Sequence, residues 1–115
     1  MSDLEALCGR CGRRVDCGDG WIHVDPAEAA RAQREESGVT VCWQVHHRRC
    51  DPDPYDGGYW IDVENITSWA GLAHWTAHLM AKRWLEATDW DELLREAAGE
   101  IPPVRLRPVA LESAA

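Results

Sequence analysis

The sequence predicts a single α+β domain, in which a small antiparallel sheet carries a metal clamp at one end and packs against C-terminal helices. Three observations lead there. Apolar and polar residues alternate at 39–45 and again at 59–64, the pattern of half-buried strands. A broad apolar stripe at helical spacing runs through about 68–87. Two short pairs, Cys8/Cys11 and His47/Cys50, have the two-residue separation of metal knuckles.

The length of 115 residues favours one domain. Folding at this size removes roughly two-thirds of the unfolded surface from water, so a structural metal would add usefully to a modest core. The chain has seven Trp and no Phe, and Lys82 is its only Lys among many Arg. The Arg and Ala bias points to a high-GC genome. A net charge of −8 opposes general nucleic-acid binding, because phosphate neutralisation supplies most non-specific affinity. The basic clusters Arg13-Arg14 and Arg48-Arg49 are short, though both lie near the suspected ligands. No run approaches the roughly 18 apolar residues of a membrane helix. The start, MSDLEAL, lacks the basic and apolar regions of a secretory signal. The expectation is a cytoplasmic protein with no membrane partner, whose five cysteines serve as metal ligands or free thiols rather than disulfides.

The elements follow in order. Residues 8–20 are rich in Gly and turn formers, and Trp21–Val24 read as a short strand with Trp21 and His23 on one face. Asp25 as N-cap, Pro26 in the first turn and Glu28 in a capping-box position start a helix over 26–37, which Gly38 ends. Ala is its only apolar residue type, so it reads as an exposed insertion. The strand at 39–45 puts Val39, Val41, Trp43 and Val45 on one face. The prolines of DPDP then forbid helix beyond one turn at HHRRC. Gly57-Gly58 makes a turn into a strand with Tyr59, Ile61 and Val63 together. Thr67 or Ser68 caps the main helix, about 68–87. Thr88 with Asp91 restarts a helix that Gly99 stops. Residues 1–100 thus form the domain, and 101–115, with Pro102, Pro103 and Pro108, an irregular C-terminal arm. Trp43, Trp69, Trp75, Trp84 and Trp90 supply the core. An exposed Trp21 or Trp60 would instead mark a partner-binding anchor.

In Cys8-Gly-Arg-Cys11-Gly12, two intervening residues let one tight turn aim both sulfurs at a point, and Gly12 permits the required backbone. His47-Arg-Arg-Cys50 repeats the spacing. Together they make a Cys3His set suited to a closed, tetrahedral, structural Zn2+ site, with the capped helix as the insertion between the halves. A redox dithiol at Cys8/Cys11 lacks the βαβ context it needs. Cys17, His23 and His46 are eligible as replacement ligands, although His23 and His46 read first as surface or packing residues. Cys42 reads as a packed small hydrophobe. His74 and His78 share a helix face, as boundary histidines or a second metal site. They lack the Glu of the zincin pattern, since Trp75 holds that place.

Enzyme motifs are sparse. DPDPYDGG lacks the register and terminal Glu of an EF-hand. A degenerate HNH-type nuclease would use His46 or His47 as base, Gly57-Gly58 in the loop, Asn65 and His74, around a catalytic cation. Against it, His47 cannot serve both as structural ligand and as base, and the acidic surface suits DNA poorly.

CxxC, GWIHVD, HxxCDP, YWI and WTAHLMAKRWLEATDW in combination resemble small zinc-ribbon-like proteins of high-GC Gram-positive bacteria and their phages, over residues 8–98. The resemblance implies a cytoplasmic zinc-binding protein and no activity, with Cys8, Cys11, His47 and Cys50 matching the paired motifs. The expected function is a non-enzymatic, zinc-stabilised module binding another protein through an acidic or Trp-bearing face. The alternatives are the nuclease and a nucleic-acid-binding zinc ribbon using Arg13, Arg14, Arg48 and Arg49.

Overall fold

The structure is a computed structural model that describes residues 3–36, 38–51 and 58–109. It has the α+β architecture the sequence predicts, built from two small antiparallel sheets rather than one. The strands are β1 (Leu4–Leu7), β2 (Arg14–Val15), β3 (Gly20–Val24), β4 (Gln44–His47), β5 (Tyr59–Asp62) and β6 (Leu106–Pro108). The helices are α1 (Pro26–Glu35), α2 (Trp69–Leu79) and α3 (Trp90–Ala97). Short 3-10 turns lie at Arg48–Cys50, Val63–Asn65 and Arg83–Ala87. Sheet order is β2-β1-β6 and β4-β3-β5.

The second sheet positions the site. In β3 the apolar face, Ile22 and Val24, joins Val45 of β4 and Ile61 of β5 in the core. The other face carries Trp21 and His23. The register pairs Gly20 with His47, Trp21 with His46 and His23 with Trp60. Gly20 is required by this pairing, since a Cβ there would collide with the His46 carbonyl oxygen and the Val15 side chain.

The insertion helix starts as its sequence dictates. The Asp25 carboxylate accepts from the N–H groups of Ala27 and Glu28, at 3.0 and 3.1 Å. It ends earlier than expected, at Glu36 in the left-handed region (φ 48°). Ser37, the last residue of the expected span, lies outside the described residues. The helix is exposed except at its inner edge, where Ala29 is buried and Gln33 donates to Glu86.

Three expectations need correction. The strand expected at 39–45 pairs with β3 only from Gln44. Upstream, Val41 exchanges hydrogen bonds with Ala87 and Asp89 instead, and Val39 is exposed. The helix expected at 68–87 stops at Leu79, though Ser68 caps it through Gly71 as predicted. Extended Lys82 then breaks the chain into the 3-10 turn that seats Trp84 against Trp43 and Tyr59. Tertiary packing of one indole thus overrides a continuous apolar stripe. Asp89, not Thr88, holds the N-cap place of α3, and Gly99 (φ 76°) follows the end of that helix as expected.

The C-terminal arm is also not wholly irregular. Leu106–Pro108 pairs antiparallel with Leu4–Ala6, tying the two ends of the described chain together. Proline is tolerated there because β6 is an edge strand. The core centres on Trp43, packed edge-on to Trp90 at 4.9 Å, with its Nε1–H donated to the Thr88 hydroxyl. Trp75 and Trp84 are half-buried. Trp69, expected in the core, is 48% exposed at the start of α2.

Candidate metal centre

Cys8, Cys11, His47 and Cys50 come together in space, one ligand atom from each lying within 4.8 Å of all the others. The cluster can hold a metal ion. Cys8 follows β1, and the turn to Cys11 is closed by the Gly12 N–H donating to the Cys8 carbonyl, with Gly12 at φ 75°. His47 ends β4, and the 3-10 turn after it returns Cys50 toward the histidine ring. The two knuckles, far apart in sequence, meet directly where the Gly9 N–H donates to the Val45 carbonyl of β4 at 2.7 Å.

The ring of His47 is fixed in one tautomer. Its Nε2 lies 2.9 Å from the Arg14 carbonyl oxygen, which can only accept, so Nε2 carries the hydrogen. In the neutral ring Nδ1 then presents a lone pair. It lies 3.4 Å from Cys11 Sγ and 3.9 Å from Cys50 Sγ. A tetrahedral zinc would set nitrogen and sulfur about 3.6 Å apart and two sulfurs about 3.8 Å apart. Asp19, 3.7 Å from Nε2, adds a carboxylate behind the ring, the usual outer support of a metal-bound histidine.

The thiols differ in ionisation. Burial alone would raise Cys8. Backbone N–H groups at Cys11, His47 and Arg10, with the His47 side chain, outweigh it and bring the pKa down to about 6. Cys50 moves up, through partial desolvation and then the nearness of Cys8 and Cys11. Sulfurs this close resist carrying several charges at once, and a divalent cation removes that conflict.

A second cluster was not expected as a unit. His23, His46 and Asp51 also place one ligand atom each within 4.8 Å of one another. His23 Nε2 lies 2.7 Å from His46 Nδ1 and 3.8 Å from Asp51 Oδ2. Burial lowers the pKa of His23 below the usual histidine value, against the pull of Asp51, with His46 adding to the lowering. The signal in the sequence was faint. His23 shares a face with Trp21, and only the register of β3 against β4 brings His46 beside it.

The remaining candidates lie elsewhere. Cys17 is exposed and in neither cluster. Cys42 is exposed, not packed as a small hydrophobe. His74 and His78 are exposed on α2, each edge-on to Trp75, and belong to neither cluster. Asn65 is exposed in a 3-10 turn. Of the nuclease set, then, His46 faces His23, and His47 faces the cysteine thiols. Gly57, with residues 52–56 of the acidic loop, lies outside the described residues. Three of the four arginines beside the clamp have acidic or aromatic neighbours: Arg14 meets Asp16 and Glu5, Arg49 meets Asp19, and Arg48 lies over the Trp21 ring. Among the described residues no helix is long and apolar enough to cross a membrane.

No known protein family, curated protein or solved structure matches the chain. Its functional reading therefore rests on the geometry.

Proposed function

We propose that Cys8, Cys11, His47 and Cys50 hold one structural Zn2+, and that the chain is a non-enzymatic module that binds another protein. Three thiolates and one imidazole Nδ1 are a donor set for tetrahedral zinc with no position left for substrate. The observation that carries the reading is the His47 ring, whose hydrogen bond to the Arg14 carbonyl leaves Nδ1 free to face the sulfurs. The binding role is supported by the outer face of the β4-β3-β5 sheet. There Trp60 is 55% exposed beside Trp21, their ring centroids 5.8 Å apart. Exposed, rigid aromatic surface of this kind favours interfaces. The ion pairs around the clamp arginines, together with the acidic net charge, favour a protein partner over nucleic acid.

Metal analysis of protein purified without added metal tests the zinc. Wild type should carry zinc near one per chain, and Cys50→Ala should carry none. Folded, zinc-free wild type would overturn the reading, as would cleavage of duplex DNA on addition of Mg2+ or Mn2+. For the binding role, a partner retained by wild type should be lost by Trp60→Ala and kept by Trp69→Ala.

A further inference from the structure

Strand β4 divides its two histidines between the two faces of the sheet. His47 turns into the clamp. His46 turns to the outer face, where it meets His23 across β3 and Asp51 just beyond the Cys50 knuckle. The geometry points to a second, open metal site at His23 Nε2, His46 Nδ1 and Asp51 Oδ2, taking an exchangeable divalent first-row transition-metal ion. This goes beyond the structural zinc and shares none of its ligands.

The donor set is right for such an ion. Two imidazoles and one carboxylate occupy three positions and leave the rest open, the composition of sites that keep a place for water or a further ligand. The spacing is close to what an ion demands. Donors about 2.1 Å from one metal lie about 3.0 Å apart at right angles and about 4.2 Å apart when opposed. The His23–Asp51 separation of 3.8 Å falls between these values. The His23–His46 separation of 2.7 Å must open by a few tenths of an ångström, replacing a shared proton by the ion.

Two further features point to a ligand. Trp21 Nε1–H donates to Asp51 Oδ2 at 2.6 Å, holding the carboxylate by an outer partner as metal sites do. His23 and Asp51, though not His46, line a cavity of about 440 Å3, together with Asp25, Glu28, Cys42 and Gln44. That space adjoins two of the three proposed ligands. Trp60, paired across the strand with His23, adds an exposed indole to the same face.

The test is equilibrium dialysis of zinc-loaded, full-length protein against Co2+. Wild type should bind about one Co2+ beyond the clamp zinc, with visible d–d bands and no thiolate-to-cobalt charge-transfer band. His23→Ala and Asp51→Asn should each keep the clamp zinc. Each should lose Co2+ affinity by more than the roughly 10- to 100-fold that removal of an outer partner costs. Paramagnetic broadening of the His23 and His46 ring protons in wild type makes the same test without a variant. Wild type that takes no Co2+ beyond the clamp overturns the proposal. So does undiminished binding in folded His23→Ala, or broadening that spares both rings. Failure of the clamp would look different: zinc-free wild type, with cobalt bound free of charge-transfer absorption.

Discussion

The buried charges around Arg105 and the donors of the clamp are completed in different ways. Around Arg105 the charges answer one another. Its guanidinium meets the Glu96 carboxylate through Nε and Nη2, and through Nη1 meets Asp89 at 2.7 Å and the Trp43 carbonyl at 3.2 Å. Glu96 also accepts the backbone N–H groups of Val104 and Arg105, and Asp89 that of Trp43. The clamp has the opposite character. It gathers three sulfurs and an imidazole lone pair, all donors of electron density, around one point. The Arg105 cluster is stable on its own terms. Under the proposed function a metal completes the clamp, so one end of the domain would depend on its surroundings and the other would not.

Removing a ligand breaks this contrast most severely. Cys50→Ala, or a strong chelator on wild type, should abolish cooperative unfolding of the β3-β4 end. Amide exchange should reach β3 and β4 long before α3. Next in size is Arg105→Met, which leaves Glu96 and Asp89 buried without their cation. It should destabilise the fold by about 3–5 kcal/mol in denaturant titrations while leaving bound metal unchanged. Acid should separate the two regions. Burial tends to raise Glu96, but the Arg105 hydrogen bonds, then the backbone donors, win and hold its carboxyl below the usual range. Its stabilisation is therefore present above the ordinary carboxylate value of about 4.3 and is lost as pH falls through its lower folded pKa. Metal release needs only protonation of thiolate and imidazole, so it should come at higher pH. Metal loss and α3 unfolding, followed by a zinc dye and by circular dichroism, should trace two separate acid transitions. The smallest effect belongs to Trp60→Ala. An exposed indole on the outer face should change stability by within about 0.5 kcal/mol, so any loss of binding reports on the surface alone.

Much of the clamp was legible in the sequence because its signals are local. CxxC and HxxC each fix a turn, and the capped helix between them explains their separation. Alternation at Ile22, Val45 and Ile61 set the inner face of one sheet for the same reason. What escaped depended on partners distant in the chain. β1 and β6 are short and lie at opposite ends of the described chain, so neither strand has a local signal of its partner. Arg105, in a proline-rich stretch, gives no hint that it is buried against α3. The His23–His46–Asp51 cluster needed the register of two strands and the turn beyond Cys50. No spacing rule carries that information.

Thiol titration with simultaneous detection of released metal tests the central claim most directly. Cys11, Cys17 and Cys42 are all exposed, so exposure alone would let all three react alike. With zinc in the clamp, only Cys17 and Cys42 should react promptly. Cys8, Cys11 and Cys50 should follow together, in step with release of one zinc. If Cys11 reacted as fast as Cys17 with no metal released, the clamp would be contradicted.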